Sequence, residues 1–167
     1  MSPDFLVRLD AHWAAFLRCR PGDLHSKTNH FISDPARTGA VVCLLDKTCI
    51  IAAAPPIAAA LRQSVGTRNP AQAFEPSRLR AATADFALPL RGPEAVLVAE
   101  APSGRCSGIY WITCGEAVPE FESELNRADG IPMCSIPLYR RAARRAAEAC
   151  GFHLYASVIY LGERTTP

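Results

Sequence analysis

The sequence predicts an α/β protein built on a mixed sheet. Three observations carry this. Stretches with helical spacing alternate with short β-rich runs along the chain. Two apolar runs, Ala40–Leu45 and Thr48–Ala52, flank the charged pair Asp46-Lys47 and read as a hairpin. A long arginine- and alanine-rich helical stretch meets Gly151 and runs into the apolar segment His153–Leu161, which reads as a strand.

The elements follow in order. Ser2-Pro3-Asp4 is a helix start, with a capping serine, a proline suited to the first position and an acid at the positive end. Phe5, Leu9, Trp13 and Phe16 then recur at helical spacing, and Pro21-Gly22 ends the helix. The stretch from Asp23 to Gly39 is polar and turn-rich. After the hairpin, Pro55-Pro56 opens a helix carrying Ile57, Ala60 and Leu61. Gln72–Thr83 reads as one further helix, with Phe74, Leu79 and Ala82 on one side. Gly92-Pro93 is a break, and Glu94–Glu100 is a strand.

Ala101-Pro102-Ser103-Gly104 reads as a linker, so residues 1–104 are expected to form an N-terminal α/β lobe and 105–167 a smaller second lobe. Gly108–Thr113 is a strand candidate, and Gly115–Asn126 an amphipathic helix with acids at Glu116, Glu120, Glu122 and Glu124. Leu138–Cys150 is the clearest helix. Its expected apolar face is Leu138, Ala142, Ala146, Ala149 and Cys150, with Arg141, Arg144, Arg145 and Glu148 on another. Tyr155 and Tyr160 lie five apart on the last strand, so they are expected on opposite sides of the sheet.

Composition narrows the classes. The 167 residues are 49% hydrophobic and 20% charged, with a formal net charge of +2, which excludes a disordered chain. No run of eighteen apolar residues is free of charge or proline, so no membrane is expected. The weak charge bias predicts no nucleic-acid partner. The N-terminus lacks a basic region followed by a long apolar run, so a cytoplasmic location is expected. The seven cysteines form no C-x-x-C pair. Their odd count argues against a disulfide framework, and their spacing against a zinc site.

The segment Arg140-Arg141-Ala142-Ala143-Arg144-Arg145-Ala146-Ala147-Glu148-Ala149-Cys150-Gly151-Phe152, followed by an aromatic strand, resembles the C-terminal helix and strand of the GNAT superfamily of N-acetyltransferases. Tyr110–Thr113 followed by Gly115–Phe121 looks like that family's opening strand and first helix. Leu9–Trp13, Asn29-His30, Ala52–Pro55 and Leu90–Pro93 are similar to the N-terminal lobe of a subgroup of larger GNAT proteins. The resemblance implies a GNAT-like second lobe, acetyl-CoA as cofactor and an amine as acceptor substrate. It implies that Arg140, Arg141 and Cys150 bind the cofactor and that Tyr155 lines the thioester end as the catalytic residue. No metal is implied.

The chain departs from the family pattern at its centre. The pyrophosphate signature is [QR]-x-x-G-x-[GA] at a strand-to-helix turn, where backbone N–H groups cradle the phosphates. Arg105–Tyr110 supplies the arginine and one glycine, but Tyr110 stands at the small-residue position. Between Asn126 and Ile136 there is no room for the missing strands and coenzyme-binding helix. Arg140 replaces the usual asparagine, and Ala147 the tyrosine that serves many members as general acid. The expectation is a GNAT-related N-acyltransferase-like protein with weakened or lost catalysis. The alternative is a non-catalytic binding or interaction module, working as a homodimer or with a protein partner. His12 is expected as a packed or hydrogen-bonded structural histidine, His153 as a strand-edge histidine, and His25 and His30 as loop residues without metal.

Overall fold

A computed structural model describes residues 1–100, 131 and 133–162. The linker at 101–104, the 105–110 motif, the 108–113 strand and the 115–126 helix lie outside the described residues. Within them the α/β expectation holds: five α-helices and one six-stranded mixed sheet.

Helix α1 (Pro3–Leu17) starts as its sequence dictates. The Ser2 hydroxyl accepts the Phe5 N–H, Pro3 takes the first position and Asp4 the first turn. Ser2 also bonds the Glu100 carboxylate. The helix stops where Arg18 turns left-handed (φ 56°), with its N–H and that of Cys19 returning to Ala15 and Ala14. A short 3-10 turn (Pro21–His25) follows. The polar stretch after it holds a strand that composition hid, β1 (Asn29–Ser33).

Strands β2 (Ala40–Leu45) and β3 (Thr48–Ala53) form the expected hairpin, turned by Asp46 at φ 45°. Almost every residue of both is buried, because helices cover both faces of this part of the sheet. Helix α2 (Pro55–Val65) opens at the proline pair. The single helix expected over Gln72–Thr83 is instead two short ones, α3 (Pro70–Ala73) and α4 (Pro76–Ala82). Pro76 has no N–H to continue a helix and disfavours helical backbone at Glu75, so a new helix begins at the proline.

Strand β4 (Leu90–Val98) runs through Gly92-Pro93 rather than starting after it. The register slips between Arg91 and Glu94, so the Gly-Pro pair forms a bulge, the one context where a strand interior tolerates proline. Strand β5 (Met133–Pro137) begins in the stretch that has no room for the family's missing strands and coenzyme-binding helix together, and it is a single short strand. Five residues suffice, because β5 pairs antiparallel with β4 along the sheet edge. Helix α5 (Arg141–Ala149) ends at Gly151 (φ 86°) and leads into β6 (His153–Leu161).

The strand order is β1-β3-β2-β6-β4-β5, with β1 and β3 parallel and every other neighbouring pair antiparallel. Strand β6 thus lies between β2 and β4, and the C-terminal segment completes the sheet of the N-terminal one. On one face α1 seats Phe5, Leu9, Trp13 and Leu17 against Val41, Cys43, Ile50 and Val158. On the other, Ile57, Leu61, Val65 and Leu79 of α2 and α4 meet Val42, Ile51, Ile159 and Leu161. Helix α5 covers that second side too, through Ala147 against Ala95, Leu97 and Cys134.

Two expectations for α5 are corrected. Its apolar contact is made by Ala147, with Ala143 half-buried, while Ala142, Ala146 and Ala149 are exposed. Arg140 and Arg141 are the cap and first residue, not mid-helix positions. The tight turn Pro137–Arg140 starts the helix later than the apolar pattern suggests and rotates its inward face.

Candidate functional site

The site grows from one irregularity in β6. Val96 pairs with Ala156, and Leu97 with Leu154, so Tyr155 is the extra residue of a bulge. A bulge reverses the alternation of side chains. Tyr155 therefore faces the α1 side with Ala156, Val158 and Tyr160. This corrects the expectation that Tyr155 and Tyr160 face opposite sides: both lie on the α1 face.

There Tyr155 packs against Trp13, with ring centroids 5.9 Å apart, and reaches the flank of α1. Its Oη donates to Asp10 Oδ1 at 2.8 Å. The other oxygen of Asp10 lies 2.7 Å from His25 Nε2, at the end of the 3-10 turn. One carboxyl thus joins a helix, a turn and a strand. Asp10 is mostly covered (17% exposed), whereas His25 is 60% exposed. Beside this group His30 Nε2 lies 2.6 Å from Ser26 Oγ and 3.2 Å from Thr28 Oγ1.

Burial, then the hydrogen bond to Asp10 and its charge, push the Tyr155 phenol far above its ordinary range. It is a proton donor held in place, not a base. The thiols are no better as nucleophiles. Burial pushes Cys19 up to about 11 and Cys43 well above the ordinary thiol value, so neither supplies thiolate near neutral pH. The arrangement can orient His25 and present it to a ligand or a proton, with Asp10 fixed from behind by Tyr155.

A second polar group lies on the same face. The Arg91 guanidinium stacks 4.2 Å over the Tyr160 ring, and Arg91 Nε lies 3.3 Å from Glu94 Oε1. Ser135 donates to the other Glu94 oxygen. Burial, then the Glu94 charge, hold the Tyr160 phenol up to about 12.

The residues that resemblance assigned to acetyl-CoA fall elsewhere. Arg140 and Arg141 are exposed at the start of α5, and Cys150 is half-buried at its end. Helix α5 packs on the side of Ala95 and Leu97, while Tyr155 lies on the side of Val96 and Val98. Alternate residues of β4 point to opposite faces. The sheet therefore lies between Tyr155 on one side and Arg140, Arg141 and Cys150 on the other.

His153 is exposed at the start of β6, as expected, but His12 is exposed rather than packed. Among the described residues no group of three or more His, Cys, Asp or Glu side chains is placed to hold a metal. Likewise no described helix is long and apolar enough to cross a membrane.

Asp10 as the hub, and His25 as its partner, were missed from sequence. No spacing links positions 10, 25 and 155, which meet only because β6 inserts beside β2 and bulges. Comparison with known proteins adds no relative: no family model, curated protein or solved structure matches the chain.

Proposed function

We propose that this protein is a binding and interaction module and not a working coenzyme A acyltransferase. One observation carries the reading: Tyr155 and the residues assigned to the cofactor stand on opposite sides of the sheet. An acyl transfer needs the thioester, the amine and the proton donor within a few ångströms of one another. Tyr155 is moreover committed to Asp10. The polar group Asp10–His25–Tyr155 then serves to bind or to lock the α1 face.

Titration calorimetry of the folded protein with acetyl-CoA, and with coenzyme A as second ligand, tests this. The expected result is no saturable heat and no thermal stabilisation. Saturable micromolar binding, with transfer to an amine, would overturn it.

One feature favours the second reading, an acyltransferase by GNAT lineage. Helix α5 closes at Gly151 and passes through buried Phe152 into β6, the local order the resemblance calls for. The same titration separates the two readings.

A further inference from the structure

Helix α5 carries a charge pattern that does not serve its own stability. Arg140 caps it, Arg141 opens it, and Arg144 and Arg145 follow within the next turn. No acidic residue occupies the first turn. Cations at this end oppose the helix dipole, and the like-charged Arg141–Arg145 pair at i,i+4 adds repulsion. An anion at the cap would be the stabilising choice.

The pattern is also largely unpaired among the described residues. Among the four, Arg144 pairs with Glu148, at 3.8 Å. Arg140, Arg141 and Arg145 are exposed and, among the described residues, make no ion pair or hydrogen bond through their side chains. Beside them Tyr139 is 79% exposed, the most open of the large hydrophobic side chains described. Tyrosine and arginine are the residue types enriched at the centres of protein interfaces. Helix α5 holds the sheet through Ala147, and among the described residues its Arg141, Arg145 and Ala149 stay exposed.

We infer that the outer face of α5, with Tyr139, Arg140, Arg141 and Arg145, docks an acidic helix of a protein partner. Arg141 and Arg145 are four residues apart, about 6 Å along the axis. A partner helix with glutamates at every fourth position presents carboxylates at the same spacing. Arginine forks bind such carboxylates in pairs, and Tyr139 covers them from solvent. The charged patch spans little more than one helical turn, on a chain with net charge +2. That suits a short acidic segment better than a nucleic-acid strand, which needs positive charge along an extended track.

This inference rests on the interaction-module reading and shares Arg140 and Arg141 with the coenzyme assignment; coenzyme binding with acyl transfer would overturn that reading, whereas loss of peptide binding alone would overturn only this inference. The probe is a fluorescein-labelled alanine-based helical peptide with glutamate at every fourth position, titrated with the whole chain in fluorescence anisotropy. Saturable binding is expected, weakened about tenfold or more by high salt and to a similar degree by the R141E/R145E pair. Tyr139→Ala should weaken it further, while the peptide with lysine for glutamate should not bind.

Loss of fold does not confuse the test, because acids at this end favour the helix, and R141E/R145E should melt at or above the unmodified protein. No binding of the peptide overturns the inference. So does binding indifferent to R141E/R145E, or tighter binding of single-stranded oligothymidine than of the peptide.

Discussion

Gly92 shows how narrowly a single position can be set. Its φ of 102° suits glycine, and a Cβ there would lie 2.7 Å from the Val158 carbonyl oxygen. Neither β4 nor β6 can retreat without breaking its pairing. Gly92→Ala should therefore destabilise the protein by about 2 kcal/mol or more, read as a lower urea midpoint at unchanged slope. Asp34 is a second such position. It is buried (3% exposed), with Arg18 at 2.7 Å and Arg37 at 3.4 Å, and it accepts the Ala36 N–H. Removing the acid takes an ion pair from Arg18 and another from the largely buried Arg37. Asp34→Ala should cost about 3 kcal/mol in chemical denaturation; a loss under about 0.5 kcal/mol would show that solvent already screens the pair. Neither residue was singled out from sequence. Gly92 was read as a break because the pair Gly-Pro usually marks one, and Asp34 as part of a turn because burial leaves no mark on residue type.

At the scale of elements, legibility followed periodicity. Helix α1, the hairpin, α2 and β6 were plain, because their apolar positions repeat at one period and their ends carry a capping serine, a charged turn, a proline pair and Gly151. Helices α3 and α4 were fused because Phe74, Leu79 and Ala82 do face one core, although Pro76 divides the backbone. Strands β1 and β5 were missed as sheet edges, only partly buried and too short to show alternation. Helix α5 was seen but rotated, since alanine-rich helices leave little contrast to mark an inner face. The best-defined element gives a direct test. Leu61 is fully buried between α2 and the sheet, so Leu61→Ala should cost about 3 kcal/mol and lower the melting temperature by several degrees. An unchanged melting temperature would mean that α2 does not hold the sheet.

The candidate site belongs to the whole molecule, which is why only one of its three members was anticipated. Tyr155 was picked out by its place in the aromatic strand, whereas Asp10 and His25 join it through the bulge and the placing of β6 beside β2. The same long-range packing buries several acidic protons together. Burial raises Cys43 well above its ordinary value, carries Cys49 and Cys134 to about 12, and with Glu94 carries Tyr160 to about 12; Tyr155 is raised further by Asp10. Each group is neutral in the folded chain and ionises at lower pH once unfolded. The stability it contributes is whole below the unfolded value and is lost as pH climbs toward the folded one. With ordinary values of 9.0 for the thiols and 10.0 for the phenols, the urea midpoint should hold to about pH 8 and fall steadily above about pH 9. Tyr155→Phe should lose about 1 kcal/mol at neutral pH with its bond to Asp10, yet show a shallower fall above pH 10, where the phenol no longer titrates. Parallel curves for the two proteins would mean that Tyr155 is open to solvent and that the contact with Asp10 does not hold it.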